Sequence, residues 1–303
     1  MAFSSLRSLM GASSGGGGGS GNSYAIFGYG YTSSNVSLTN KVDSSGVVAT
    51  DTTGVGTARR LLAATGYGSD KAIFGYGYSG SYVSLTNLVS NIGVVATDTT
   101  GVGTARTYLA AAGYGSDKAI FGYGNSGSYV SLTNKVDSSG VVATDTTGVG
   151  TVRDKLAAAG YGSNKAIFGY GYTGSSVSLT NKVSSSGVVV TDTTGVGTAR
   201  RLLAAAGYSS NKAIFGYGYT DSPVSLTNKV DSSGGVATDT TGVGTVRYAL
   251  AAAGYGSNKA IFGYGSTGSN VSLTNLVSND GVVVTDTTGV GSARYYLAAA
   301  GYG

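Results

Sequence analysis

From residue 24 onward, short apolar segments alternate with runs of Gly, Ser, Thr and Asp. One stretch shows the pattern clearly: Leu109–Tyr114 (LAAAGY), Ala119–Gly124 (AIFGYG), Tyr129–Val136 (YVSLTNKV) and Val141–Thr146 (VVATDT). Between and before them lie GSDK, NSGS, DSSG and TGVGTA, which carry turn chemistry. The third and fourth segments are β-branched with rough alternation, so they predict strands. LAAAGY also fits the start of a helix, but Gly interrupts it too early for a stable one, so it reads as a small-residue strand in a tight place.

These four segments recur with a fixed step of 47 residues. AIFGYG begins at Ala25, Ala72, Ala119, Ala166, Ala213 and Ala260. An Asp in TDTT follows in every unit (Asp51, Asp98, Asp145, Asp192, Asp239, Asp286), and an Arg eight positions later (Arg59, Arg106, Arg153, Arg200, Arg247, Arg294) opens the next LAAAGY segment. Four strands per repeat of this length is the spacing of a propeller blade. The expected fold is therefore all-β, a six-bladed β-propeller of four-stranded blades over residues 24–303. The pattern starts at its second strand, Tyr24, and ends on an inner strand, Arg294–Gly303. The expected closure therefore joins the C-terminal inner strand to the three N-terminal strands, which removes the exposed edges.

The order of motifs, Arg106 before LAAAGYG, then AIFGYG, then VSLTN, resembles the kelch-type propeller repeat. Gly122-Tyr123-Gly124 stands where that family has a Gly pair, and the Trp of its last strand is missing. The Gly/Tyr/Ser/Thr-rich units also resemble repeat proteins of tailed-bacteriophage virions. The first resemblance implies a binding scaffold and the second a virion structural protein.

Composition narrows the chemistry. There are 53 Gly, no Cys and no His, and charged residues make up 11%. Disulfides are excluded, and transition-metal sites lose their usual ligands. Without His or Glu, general acid–base and nucleophilic catalysis have no obvious players, so neither catalysis, a cofactor nor a metal is expected. DTTG lacks the alternating acidic ligands of an EF-hand loop. The formal charge of +5 is scattered with no basic run, which argues against nucleic-acid partners. No apolar stretch has the length of a membrane span, and MAFSSLRSLMGASS lacks the core of a secretory signal.

The repeated Asp and Arg predict a structural ring, an ion pair tying each outer strand to the next blade, with a ligand-binding ring as the other reading. The repeated Phe (Phe27, Phe74, Phe121, Phe168, Phe215, Phe262) should fill the space between blades. The Tyr of FGYG and AAGYG are expected at a wet edge, and the Asn after VSLT at a strand end or turn. Units differ mainly in the loop after FGYG, in the DSSG turn and in the pair after the Arg. The first and last of these should share one face, where Tyr31, Tyr78, Tyr82, Tyr129, Tyr172 and Tyr219 would make an adaptable recognition surface. Residues 1–23 stand apart: Phe3, Leu6, Leu9 and Met10 at helical spacing, then a Gly-rich linker, predict a peptide that anchors the chain to another protein of an assembly.

These features lead to an expected non-enzymatic structural or adhesive part of an extracellular assembly, above all a phage virion, meeting a host glycan or a neighbouring subunit. The alternatives are a free lectin-like propeller with equivalent sites between blades and a cytoplasmic kelch-type scaffold. Self-association into a homo-oligomer fits each.

Overall fold

The computed structural model describes residues 22–303, so the anchoring peptide with Phe3, Leu6, Leu9 and Met10 lies outside the described residues. The strands are β1 (Tyr24–Gly28) and β2 (Thr39–Val42), then β3 (Ala63–Tyr67), β4 (Lys71–Tyr78) and β5 (Tyr82–Val89). Next come β6 (Ala110–Tyr114), β7 (Lys118–Asn125), β8 (Tyr129–Val136), β9 (Ala157–Tyr161), β10 (Lys165–Tyr172) and β11 (Ser176–Val183). The last are β12 (Ala204–Tyr208), β13 (Lys212–Gly216), β14 (Thr227–Val230), β15 (Ala251–Tyr255), β16 (Lys259–Gly263), β17 (Thr274–Val277) and β18 (Ala298–Tyr302). They form six antiparallel three-stranded sheets, and no helix appears among the described residues. Sheet I is β18-β1-β2; sheets II to VI take β3-β4-β5 through β15-β16-β17 in order.

The expected fourth strand does not form. Residues 141–146 make only single-residue bridges, Val142 to Val136 and Thr146 to Thr133. The cause is Asn134: its side-chain Nδ2 donates to Ala143 O at 3.0 Å and to Asp145 Oδ1 at 2.9 Å. A side chain thus takes a carbonyl that a continuous ladder would use. Correspondingly, the N-terminal end contributes two strands, not three, to the sheet shared with the C-terminus. That pairing itself is complete, from Tyr24↔Tyr302 to Gly28↔Ala298.

The six sheets stand in a propeller-like arrangement. Inner strands touch in the order β3, β6, β9, β12, β15, β18 and back to β3. Their small residues, Ala and Gly with Thr65, leave an axial cavity of only about 40 Å³, lined by all six strands. Small residues fit there because the space between blades narrows toward the axis. At one mouth of the axis Leu61, Tyr108, Lys155, Leu202, Ala249 and Tyr296 adopt φ between 53° and 60°. Each amide donates to the carbonyl of the preceding member, Leu61 to Tyr296 included, at 2.8–3.0 Å. A left-handed backbone costs an L-residue on the order of 1–2 kcal/mol, and each hydrogen bond returns about 1 kcal/mol. The relay is the reason six dissimilar side chains share one unfavourable conformation.

Apolar burial lies between sheets. Phe121 of sheet III is fully buried against Gly75 of sheet II, where an added Cβ would lie 2.7 Å from Cζ of the ring. The next residue, Tyr76, takes φ 65° at a bulge between Gly75 and Gly77 and meets Phe121 edge-on, 5.2 Å between centroids. The Gly-Tyr-Gly word is thus one device: the first Gly receives a ring from the next sheet, and the bulge turns Tyr toward it.

This packing gives a prediction. Gly122→Ala would place its Cβ 2.7 Å from Cζ of Phe168, and overpacking of this kind costs about 1–3 kcal/mol. Urea denaturation should show the loss, and adding Phe168→Leu should recover part of it. Equal stability of wild type and Gly122→Ala would contradict the interlock.

Candidate binding face

The repeated Arg is the centre of a buried cage. Arg59 has no exposed surface. Its Nε donates to Tyr76 O at 2.9 Å, Nη1 to Thr57 O at 3.2 Å and Nη2 to Asn87 Oδ1 at 2.7 Å. Its guanidinium lies 4.3 Å from the ring centre of Tyr29 in sheet I. The same cage recurs at Arg106, Arg153, Arg200 and Arg294, each stacked on a Tyr of the preceding sheet. Arg247 keeps the stack on Tyr217 and the bond to Asn275, while its Nε has no acceptor among the described residues.

The acidic partner differs from the expected one. Arg59 faces Asp98, 39 positions later, at 3.8 Å, and Asp51 faces Arg294 instead. The ion pair thus lies within one sheet's unit rather than between the Asp and Arg adjacent in sequence. The tie between units comes from the crossing loop: Thr57 donates its hydroxyl to Asp98 at 2.6 Å and its amide at 2.9 Å. Asp145, Asp192, Asp239 and Asp286 hold Thr104, Thr151, Thr198 and Thr245 likewise, and Asp51 holds Ser292. Arg106, Arg153, Arg200 and Arg247 complete the pairs at 3.5–3.9 Å. Two expectations are corrected here. The FGYG tyrosines are not at a wet edge: Tyr29 is fully buried and its hydroxyl donates to Val55 O at 3.1 Å. The Asn after VSLT is not a turn residue, since fully buried Asn87 lies within β5 and joins Arg59 to Asp98.

The loop after FGYG and the pair after the Arg do share a face. The residue after each Arg bridges the end of the loop-bearing strand: Arg60 to Tyr78, Thr107 to Asn125, Asp154 to Tyr172, Arg201 to Tyr219, Tyr248 to Ser266 and Tyr295 to Tyr31. The six candidate tyrosines lie there, interleaved with cations that sequence reading did not single out. Arg60 sits over both Tyr31 and Tyr78, at 4.5 and 5.1 Å from the ring centres. Arg201 sits over Tyr172 and Tyr219, and Lys155 over Tyr108 and Tyr172. Tyr82, the most exposed of the six candidates, meets Tyr78 edge-on at 6.1 Å, and Tyr129 meets Tyr172 at 6.1 Å.

Nearer the axis, Tyr31 meets Tyr295, Tyr295 meets Tyr296, and Tyr296 meets Tyr108. These contacts join into one network from Tyr82 to Tyr248, where Tyr248 packs on Tyr219. The signal that marked Arg60, Lys155 and Arg201 was already present: they belong to the pair after the repeated Arg, one of the three places where the units differ.

Charge on this face is partly stored in a buried pair. Asp154 is 1% exposed and meets Lys155 at 3.1 Å. Burial pushes its carboxyl pKa up, and Lys155 opposes the shift. Burial also pushes the Tyr296 phenol up, with Tyr108 beside it. The Tyr296 hydroxyl is thereby held in its neutral form. Among the described residues no three acidic side chains gather to hold a metal ion. Among the described residues no helix is long and apolar enough to cross a membrane. No family model matches the chain, and no curated protein matches it.

The cage carboxylates set a pH dependence. Partial burial alone would raise the pKa of Asp98, but the Thr57 hydroxyl, the Asn87 amide, the Thr57 N–H and Arg59 outweigh it and hold the carboxyl below its ordinary 3.8. The other five behave alike. A folded-state pKa below the unfolded one stabilises above the unfolded pKa, and that stability is lost as pH falls through the folded pKa. Asp154, with its raised pKa, contributes oppositely but is one group against six. The thermal midpoint should therefore hold from neutral pH to about pH 5 and fall steeply below about pH 4. Asp145→Asn should make that fall shallower; an unchanged slope would contradict the assignment.

Proposed function

We propose that the chain is a closed six-bladed β-propeller acting as a non-enzymatic structural and adhesive component of an extracellular assembly, such as a tailed-phage virion. In this reading residues 47–52 and their counterparts serve as the fourth, edge segment of each blade. The N-terminal peptide fastens the chain to the assembly, and the variable face meets the ligand. One observation carries the reading: of the three places where the otherwise near-identical units differ, two, the loop after FGYG and the pair after the Arg, meet in the cation–tyrosine network. A scaffold alone would need no such concentration, whereas Tyr and Arg are the residues that most often anchor binding surfaces.

The face carries Arg60, Lys155 and Arg201 against the buried carboxylate of Asp154 and the loop carboxylate of Asp221. The cations lie at ring faces near the surface, so the ligand most favoured is an acidic one, an anionic host glycan or an acidic patch of a neighbouring subunit. Tyrosine hydroxyls around them supply uncharged hydrogen bonds at low entropic cost.

A glycan array probed with the full chain tests this. Uronate- or sialate-bearing glycans should be retained, and Arg60→Ala with Arg201→Ala should weaken retention at least tenfold, about 1.4 kcal/mol, with more salt acting in the same direction. Retention that survives the double substitution unchanged would rule out this face as the binding surface.

A further inference from the structure

On the face opposite the tyrosine network, at the junction of sheets I and II, lies a cavity of about 460 Å³. Both ends of the described chain help to wall it. Tyr24 and Tyr302 stack there, centroids 5.8 Å apart and planes 28° from parallel. Val47 and Ile92 form apolar walls, and Lys41, Asp43 and Asn91 stand at the rim. Two of these residues depart from the repeat in a way that makes the cavity. Tyr24 occupies the position held by Lys71, Lys118, Lys165, Lys212 and Lys259 in the other units. Ile92 occupies the position held by Ser45, Ser139, Ser186, Ser233 and Asp280. Both substitutions replace hydrophilic groups with apolar ones on exposed surface, with Tyr24 42% and Ile92 69% exposed. Exposing apolar surface gains nothing for folding, which suggests that something covers it.

We infer that this seam is a single-copy site for a neutral pyranose sugar. The volume lies within the range of small-ligand pockets, roughly 300–1,000 Å³. Lys41 and Asp43 offset each other in charge, so the site has no reason to select an ion. Its rim nevertheless offers an ammonium donor, a carboxylate acceptor and an amide that does both. Asp43 already turns one oxygen to the amides of Ser45 and Val47, at 2.8 and 2.9 Å, which fixes the carboxylate in place. Lys41 is held likewise by Ile92 O at 3.0 Å. A pyranose presents an apolar C–H face to stacked phenol rings and hydroxyls, each donor and acceptor, to such a rim. A plain aromatic ring would leave the rim unused. The inference is independent of the acidic ligand proposed for the opposite face, and it differs from a lectin with equivalent sites between all blades, because five of the six junctions lack both Tyr24 and Ile92.

The full chain should be titrated with methyl glycosides of neutral hexoses and N-acetylhexosamines, and separately with phenol, following tyrosine fluorescence and saturation-transfer NMR. The expected result is saturation by at least one glycoside at one site per chain, with no saturation by phenol. Tyr24→Lys and Ile92→Ser each write in the residue that other units carry, so folding is not at stake. Each should weaken binding at least tenfold, leave the thermal midpoint unchanged, and leave retention on acidic glycans intact, whereas Arg60→Ala should leave glycoside binding intact. No saturation by any glycoside, binding of about six per chain, saturation by phenol in its place, or full binding by both variants would each overturn the assignment.

Discussion

The backbone relay around the axis is the constraint on which the rest depends. Six amides, from Leu61 through Tyr296 and back to Leu61, hydrogen-bond head to tail at residues with φ near 55°. Such a circuit is complete or it is broken; a unit missing or misplaced leaves an amide and a carbonyl unpaired in a strained backbone. It fixes the spacing of the inner strands, and that spacing brings each Phe ring onto the Gly of the preceding sheet. The same spacing lays each buried Arg over the preceding Tyr. Every interface between sheets repeats the same few contacts, so the energetics of one junction stand for all except where side chains differ.

Much of this was legible in the sequence because a fixed 47-residue step leaves no freedom in register. The inner, middle and outer strands of each sheet fall on the first three recurring apolar segments, overrunning them by at most one residue at either end, and the partner of the C-terminal strand follows from the phase of the repeat. The fourth strand was not legible. Its β-branched pattern, VVATDT, is that of a strand, but the buried Asn134 side chain intervenes in the ladder. The ion-pair partner was misread for a related reason. Nearness in sequence favoured Asp51 with Arg59, whereas the crossing loop carries Arg59 to the start of the next sheet, and Asp98 arrives at the end of that sheet's unit. Burial of the FGYG tyrosines likewise depends on a bulge between two glycines, which no periodicity displays.

For the candidate site, the face and its six tyrosines were readable from where the units differ. The cations were in view as variable positions without a role, and only the fold shows Arg60 and Arg201 each between two rings. Repetition and deviation divide the labour in this molecule. Repeated residues hold the sheets together, and their uniform use leaves little room for specificity. Residues that break the pattern, on the variable face and at the seam, carry the asymmetry on which both proposed sites rest.

The account rests most directly on the pairing of β1 with β18, and the absence of cysteine makes that pairing simple to test. In a Tyr24→Cys, Tyr302→Cys chain, mild oxidation should give an intramolecular disulfide in nearly every monomer, since directly paired antiparallel residues lie about 4.5–5.5 Å apart, within disulfide reach. The product should migrate faster on a non-reducing gel and resist denaturation by on the order of 5 kcal/mol, the loop-entropy value for so long a circuit. Failure to cross-link, or cross-links only between chains, would contradict the pairing and with it the ring.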